Sequence, residues 1–547
     1  MRGRVLLTIF AVSILLISIR YFQIQILEYK KHRSFLENSS FIKVSLDAPR
    51  GEIISSDGKV LARNERILMA QLSGRKVPAL TDLEDVVGKK RAIELVLGLR
   101  INVDENEAER LRRMGVLIRK KIKRVYSGIA PHVVGYVRQG KGVYGVEKEY
   151  DEYLKGKPGS EVYVVDIKGK SVGSVLKSPP IPGKNITLSI DSRLQDLAQN
   201  LLKGKKGTII VENPKNGEIL VMASNPSFNP NDVSSGMSVW EWRELLNDPS
   251  GVFINRAISS RYPPGSSIKP FIALAYLMKF DGKDQTVNCK GKYFYRSKSG
   301  KVLAVYKDWL LSGHGLVDLR KAIRVSCNVF FYTIGQEIGI DFLSNLASEL
   351  RFADKTGIDL PGEVSGIFPS REWKKRVFGE SWYPGDTILL SIGQGYVLMT
   401  PIEMINFYSF LANEGVSYVP HVVKMIDKEL IRPREYVRMN LPKKYWNFLR
   451  EAMVDVTTHP GTLKDEGTAY RVFKGFRIKV AGKTGTAEVP GKKSHSWFIG
   501  YAPADNPKVV VLAMVENGGS GSKVAAPIAR KILEKYFSIF SADDVVK

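Results

Sequence analysis

The stretch Tyr262-Pro263-Pro264-Gly265-Ser266-Ser267-Ile268-Lys269-Pro270 decides how the rest of the chain is understood. Two prolines and a glycine impose a turn, and a serine opens the element that follows. A helix beginning at Ser266 puts Ser266 and Lys269 one turn apart on one face. Serine is a weak nucleophile until a base takes its proton, and a partly desolvated lysine can lose its own proton and act as that base. Free N–H groups at the start of a helix lie where an oxyanion would form. The plain alternative is a helix-capping serine followed by a surface lysine, and S-x-x-K alone recurs by chance.

Two further motifs follow in order. Ser326-Cys327-Asn328 precedes an apolar run, Val329-Phe330-Phe331-Tyr332. Lys483-Thr484-Gly485-Thr486 follows a strand-like Phe476–Ala481 and precedes Ala487–Val489. A hydroxyl and an amide on a cleft wall can relay a proton and hold a substrate amide. A lysine and a threonine on a strand edge can bind a carboxylate, with glycine letting the backbone approach. The N–H of Thr486 can pair with that of Ser266 as an oxyanion hole. S-x-x-K, S-x-N and K-T-G in this order form the set of penicillin-binding proteins and class A β-lactamases.

The chain has 547 residues, room for two to four domains, and its 44% hydrophobic and 25% charged residues are ordinary for a globular protein. The net charge of +26 suits an anionic partner: a membrane surface, an acidic polymer or nucleic acid. No zinc-knuckle spacing, phosphate loop or RNA-binding aromatic signature accompanies it, so no nucleic-acid partner is expected. Two cysteines, Cys289 and Cys327, exclude a disulfide framework.

Arg2 and Arg4 precede the apolar Val5–Ile19, and after Arg20 the apolar character resumes to Leu27. Val5–Leu27 is long enough to span a bilayer if Arg20 snorkels or faces a partner helix. No small-x-small cleavage site follows, which favours a retained anchor over a signal peptide. A helix is expected to continue to about Phe41, then a strand at Lys43–Leu46 and a hairpin turning at Asp57-Gly58. Helical spacing marks Asp82–Leu99, with Leu83, Val86, Val87, Ile93, Val96 and Leu97 as core positions, and Asp104–Met114. The basic run Arg119–Arg124 is expected to be a solvated face. After Ser178-Pro179-Pro180-Ile181-Pro182-Gly183 the texture becomes compact α/β: strand Ile186–Ile190, helix Asp191–Leu202, then a hairpin, Gly207–Glu212 and Glu218–Ala223, around Asn213–Gly217. The expected division is 1–27 cytoplasmic tail and transmembrane anchor, 28–182 N-terminal module, 183–541 catalytic domain and 542–547 tail.

Over nearly its whole length the chain resembles the class B, monofunctional penicillin-binding proteins, and within them the elongation-type D,D-transpeptidases. Ala48-Pro49-Arg50-Gly51 and Gly145–Gly159 carry the likeness in the N-terminal module. Leu188–Gln195, Tyr262–Pro270, Gly313-His314-Gly315, Thr356–Glu363, Ser391–Gly395 and Trp497–Pro503 carry it beyond. The turn Ser55-Ser56-Asp57-Gly58 departs from the family's frequent Asp-Arg-Asn-Gly, and Asn328 stands where several relatives have Asp.

The resemblance implies an α+β chain: one N-terminal transmembrane helix, an elongated mostly-β pedestal, and a penicillin-binding/serine β-lactamase-like domain with a five-stranded antiparallel sheet flanked by helices. It implies that Ser266 attacks the carbonyl between the last two D-alanines of a stem peptide, and that Lys269 moves the proton. Ser326 and Asn328 line the cleft. Lys483, Thr484, Gly485 and Thr486 bind the terminal carboxylate and complete the oxyanion hole. An amine of a neighbouring stem peptide resolves the acyl-enzyme, and β-lactams acylate Ser266 as mimics. The implied partners are peptidoglycan stem peptides on lipid-linked glycan, the membrane, a polytopic glycosyltransferase of the shape-elongation-division-sporulation type and other elongation-complex proteins. The catalytic domain is expected on the extracytoplasmic side. Two rivals share parts of this pattern: a D,D-carboxypeptidase or β-lactamase on the same scaffold, of which fast β-lactamase turnover needs a deacylation base and none is identified beyond Lys269, and a non-enzymatic β-lactam sensor, which needs a cytoplasmic signalling region.

No cofactor is required by this chemistry. Asp308, His314 and Cys327 resemble the zinc ligands of some elongation-type relatives, and Cys289 is a candidate fourth. Thiolate, imidazole and carboxylate in a set of four suit tetrahedral zinc. Two buried thiols with a structural histidine, or a Cys289–Cys327 disulfide, are the alternatives. A metal there would be structural, pinning the loop that carries Ser326 and Asn328.

Overall fold

The computed structural model describes residues 2–29, 40–72, 78–165, 171–235, 237–283 and 285–540. Most of the expected helix continuation falls at 30–39 outside the described residues, as does the tail at 542–547; its expected end at Phe41 lies instead in the strand Ser40–Leu46, which starts before the expected Lys43. The N-terminal helix runs Arg2–Phe22 and ends in a wider π-helical turn, Gln23–Leu27. Its window Phe10–Leu27 is long and apolar enough to cross a membrane and is not buried against the protein. Arg20 donates to Gln23 one turn on, at 3.2 Å.

The chain packs as two units. The first comprises residues 1–51, 66–123 and 155–183; the second comprises 52–65, 124–154 and 184–547. The expected linear boundary at 182/183 follows chain order, whereas packing assigns 52–65 and 124–154 to the catalytic unit. The reason is strand pairing and burial: Ile53–Ile54 runs parallel to Ile186–Leu188, and Ile53, Leu61 and Ile186 are buried in one core.

In the first unit, Ser40–Leu46, Gly159–Val165 and Ser171–Ser178 form a three-stranded antiparallel sheet. A small separate core gathers Leu68, Leu83, Val87, Leu95 and Leu111. The single helix expected over Asp82–Leu99 is two helices, Leu80–Val87 and Lys89–Val96. Gly88, at φ +79°, breaks it, a conformation that costs glycine nothing. The break resets the helical phase: Ala92 and Leu95 are buried, while Ile93, Val96 and Leu97 face solvent. Glu105–Arg113 forms as expected, with Asp104 and Glu107 capping each other's backbone N–H groups. The basic run lies on the strand Leu117–Tyr126 and is mostly exposed. Arg124 departs from that expectation: it belongs to the second unit and is buried on Glu147 at 2.7 Å.

The second unit is built on a five-stranded antiparallel sheet ordered Ile219–Asn225, Gly207–Glu212, Val509–Val515, Lys492–Ala502, Ala481–Val489. Every residue of Gly207–Glu212 and Val509–Val515 is buried, so both faces of the sheet are covered. Ser192–Leu202, capped by Asp191, packs with Ala525–Ile539 against it. Pro401–Ala412, buried at every position, crosses the three middle strands. The last strand begins at Ala481, not at Phe476 as expected, so Lys483–Thr486 lies within it. That strand is the edge of the sheet and presents backbone groups to a peptide that could pair with it.

Candidate active site

Gly265–Ile268 forms one turn of 3-10 helix that leads into the helix Lys269–Phe280. Residues Lys269 to Leu277 of that helix are all buried, which makes it a central post of the unit. Ser266 remains half-buried at its head while Lys269 is fully buried. The turn is held from three sides. Gly265, at φ +54°, donates its N–H to Gly393 O at 2.9 Å, and Tyr408 Oη donates to Ser267 O at 2.8 Å. A Cβ on Gly485 would stand 3.0 Å from Pro264 O and 3.2 Å from Ser267 N, so glycine is what lets the edge strand touch the turn.

Ser326 ends the helix Leu319–Val325 in the left-handed region, φ +58°, and Asn328 opens the next helix, Asn328–Ile338. A non-glycine residue held there is strained backbone of the kind found at functional sites. Asp308 fixes the junction: its Oδ2 accepts the N–H of Asn328 at 2.7 Å and of Val329 at 3.1 Å. A carboxylate at that helix N-terminus is also favoured by the helix dipole.

The three motifs converge on one hydroxyl. Lys269 Nζ donates to Asn328 Oδ1 at 2.7 Å, Ser326 O at 2.8 Å and Ser326 Oγ at 3.2 Å. Lys483 Nζ donates to the same Oγ at 2.9 Å and to Thr484 O at 3.1 Å. The described bonds of Lys269 therefore run to the second motif rather than to Ser266. Burial pushes the Lys269 ammonium down to about 8, against the upward pull of Asp308, Cys327 and Cys289. Burial, then the neighbouring Lys269 charge, pushes Lys483 well below the usual lysine range. A serine oxygen can accept two hydrogen bonds or accept one and donate one. When either lysine is neutral, Ser326 can turn its proton toward that amine while accepting from the other, and so pass protons between them.

Residues 207–534 match the family described as penicillin binding protein transpeptidase domain, and residues 45–188 match penicillin-binding protein dimerisation domain. The chain is a class B penicillin-binding protein, of the penicillin-binding protein 2 type. It is a serine-type peptidoglycan D,D-transpeptidase. This penicillin-binding protein is 31% identical to peptidoglycan D,D-transpeptidase MrdA of Haemophilus influenzae, over 94% of its own length and 88% of that protein's. It is similar to PBP2 of Helicobacter pylori, solved in complex with MreC, with a TM-score of 0.77 and 30% identity over 91% of this chain and 99% of that one. A chain of a peptidoglycan synthase complex, described as coordinating polymerization and crosslinking, matches with a TM-score of 0.76 and 29% identity over 98% of both chains. The apolar N-terminal helix of this penicillin-binding protein fits a membrane anchor.

The four metal-ligand candidates of this penicillin-binding protein also come together. Cys289, Asp308, His314 and Cys327 are all buried, with their donor atoms within 4.8 Å of one another. Cys289 Sγ lies 3.7 Å from Asp308 Oδ2 and from His314 Nδ1, Cys327 Sγ 3.4 Å from Asp308 Oδ2, and His314 Nδ1 3.6 Å from Asp308 Oδ1. Corners of a tetrahedron around zinc, with bonds of ~2.0–2.3 Å, stand about 3.3–3.8 Å apart; these four contacts have that spacing, through both oxygens of Asp308, and the donor chemistry suits that ion. Both thiols are free, with no disulfide between them.

One neighbour of the site has no signal in the sequence. Thr468, in a polar loop, brings its Oγ1 to 2.8 Å from Thr484 Oγ1. The loop is tied down through Asp465, which pairs with Arg324 and accepts from His459 Nε2 at 3.2 Å. His495 is structural: its Nδ1 accepts the N–H of Asn517 at 3.1 Å and its ring packs edge-on against Tyr262.

Proposed function

We propose that this chain cross-links stem peptides during cell elongation through an acyl-enzyme on Ser266. The observation that carries the residue roles is the convergence of Lys269 and Lys483 on Ser326 Oγ beside the turn that holds Ser266. Lys269, neutral near its lowered pKa, takes the Ser266 proton as Oγ attacks the D-Ala-D-Ala carbonyl. Ser326 passes a proton to the departing amine. Lys483, Thr484 and Thr486 hold the terminal carboxylate, and the N–H groups of Ser266 and Thr486 take the oxyanion. The amine of a second stem peptide then attacks the ester, and β-lactams stop at the acyl stage.

The catalytic unit works on the extracytoplasmic side, where stem peptides are cross-linked; Arg2 and Arg4 ahead of the apolar helix favour a cytoplasmic N-terminus, whereas Lys30, Lys31, His32 and Arg33 on its other flank pull the opposite way. Its partners are elongation-complex proteins and a polytopic glycosyltransferase that makes the glycan. The MreC complex of the Helicobacter pylori relative and the similarity to a synthase-complex chain support that assignment. Zinc held by Cys289, Asp308, His314 and Cys327 is structural. If bound, it would supply a rigid cross-link among Cys289, Asp308, His314 and Cys327, next to the junction that carries Ser326 and Asn328, with the acyl transfer left to Ser266, Lys269 and Lys483.

A fluorescent penicillin tests the core of this reading. Stable label is expected on the peptide Tyr262–Pro270 and absent from Ser266→Ala. Label on another serine, or rapid release of the penicillin, sinks it.

A further inference from the structure

Between Cys289 and Asp308 the chain carries six basic residues, Lys290, Lys292, Arg296, Lys298, Lys301 and Lys307, and no acidic one. This segment folds as a two-stranded hairpin, Lys292–Arg296 against Val302–Lys307. Its register sets Lys292 opposite Lys307, Phe294 opposite Val305 and Arg296 opposite Val302. Strand alternation divides the hairpin into two faces. Tyr293, Tyr295 and Tyr306 are half-buried, whereas Lys292, Phe294, Arg296, Val302, Val305 and Lys307 are exposed.

The inner face is anchored to the catalytic machinery. The rings of Tyr293 and Tyr306 each stand 5.7 Å from that of Tyr332, and Tyr332 Oη donates to Lys307 O at 3.2 Å. Tyr332 belongs to the helix that Asn328 opens, and Asn328 Oδ1 accepts from Lys269. The strand itself runs into Asp308, which caps that helix. The outer face is thus fixed to one wall of the catalytic cleft.

That outer face is poor as plain surface. Like charges directly opposite each other destabilise a strand pair, and Lys292–Lys307 is such a pair. Phe294, 47% exposed, and Val305, 48% exposed, form an apolar centre between those charges and Arg296. The Arg296 guanidinium lies 5.7 Å from the Phe294 ring centre. An apolar strip bordered by cations complements a ligand with flat C–H faces and regularly placed carboxylates. Sugar rings bearing acidic peptides have that chemistry, and the cleft wall is where such a strand must pass.

We propose that the outer face of the hairpin Lys292–Lys307 docks the anionic glycopeptide strand whose stem peptide enters the cleft. Pyranose faces lie on Phe294 and Val305, and stem-peptide carboxylates pair with Lys292, Lys307 and Arg296. The inference rests on the transpeptidase reading and adds a second contact to its substrate, outside the acylating centre. The alternative occupant of a basic, apolar surface is an anionic membrane; continuity with the cleft favours the strand.

The test uses the full-length chain in detergent micelles and uncross-linked peptidoglycan strands, with binding followed by co-sedimentation at several salt concentrations. Lys292→Glu with Lys307→Glu, and separately Phe294→Ser, are expected to weaken strand binding by about tenfold. Fluorescent penicillin, small enough to occupy the cleft alone, is expected to label Ser266 at the wild-type rate in both. Unchanged strand binding overturns the proposal. So does a loss seen only in a parallel co-sedimentation with phosphatidylglycerol vesicles and not with strands, which assigns the face to the membrane. Slowed penicillin labelling that persists in the milder Lys292→Gln also overturns it, because the hairpin is then part of the catalytic scaffold. Failure of the wild-type chain to take penicillin strikes the transpeptidase reading instead.

Discussion

Lys483 Nζ stands 2.9 Å from Ser326 Oγ, the same oxygen that Lys269 approaches at 3.2 Å. Two buried lysines share one hydroxyl, and among the described residues it is the only side chain hydrogen-bonded to both. Ser326→Ala is expected to slow acylation by fluorescent penicillin about a hundredfold or more. The fold should survive, because a small side chain is lost from a junction held by backbone bonds to Asp308. A variant that acylates at the wild-type rate removes Ser326 from the proton path.

The pH profile follows from Lys269. A lysine acts as a base only when neutral, and burial brings its pKa to about 8. Acylation should therefore rise with pH, bend near 8 and level off above it. Lys269→Arg is expected to abolish acylation at every pH, since a guanidinium is not deprotonated in proteins. A flat profile through the neutral and alkaline range transfers the base role to another group.

Gly485 joins the edge strand to the catalytic turn. A Cβ there meets Trp497 Cβ at 2.9 Å and Pro264 O at 3.0 Å. Gly485→Ala must push the strand and the turn apart, and misplacement of reacting groups by a fraction of an ångström is costly in rate. Acylation is expected to fall about a hundredfold, whereas overpacking of this kind costs stability only about 1–3 kcal/mol. Thermal unfolding and acylation measured on the same preparation separate the two effects.

The convergence of the three motifs was legible because ordered short motifs carry their own spacing, and each motif sits on a local element: a turn, a helix junction, a strand. The hairpin around Asn213–Gly217 was legible for the same reason. What the sequence hid was non-local. Nothing near Ile53 announces a parallel partner at Ile186, so the linear domain boundary missed that packing. Thr468 is one more polar residue in a loop until the fold brings it to Thr484. The helix broken at Gly88 failed differently: both halves are amphipathic, but a glycine at positive φ changes which residues face inward.

Glu212 gives a stability prediction independent of catalysis. It lies in the fully buried strand Gly207–Glu212, and neither carboxylate oxygen has a hydrogen-bond partner among the described residues. Burial raises its pKa from 4.5 to about 8. The folded state therefore holds a proton that the unfolded chain releases, so stability is full below the unfolded value and falls as pH rises toward 8. Glu212→Gln removes this dependence. Its melting temperature is expected to exceed that of the wild type by a few degrees in alkaline buffer and to match it in mild acid. Equal pH slopes for the two proteins sink the assignment.

The Cys289–Asp308–His314–Cys327 cluster is the last case, and its test separates metal from buried thiols. Asp308 serves both sides: Oδ1 faces His314 Nδ1 at 3.6 Å, while Oδ2 lies 3.4 Å from Cys327 Sγ and 3.7 Å from Cys289 Sγ and also accepts the N–H groups of Asn328 and Val329. If zinc is bound, about one equivalent per chain is expected by elemental analysis, and Cys289→Ser is expected to lose most of it. Stripping the metal with a chelator should lower the melting temperature and slow acylation together, because Asp308 is then free to swing away from the helix that carries Asn328. Full activity in a chain shown to hold no metal would falsify the structural role and leave two reduced thiols packed on a histidine.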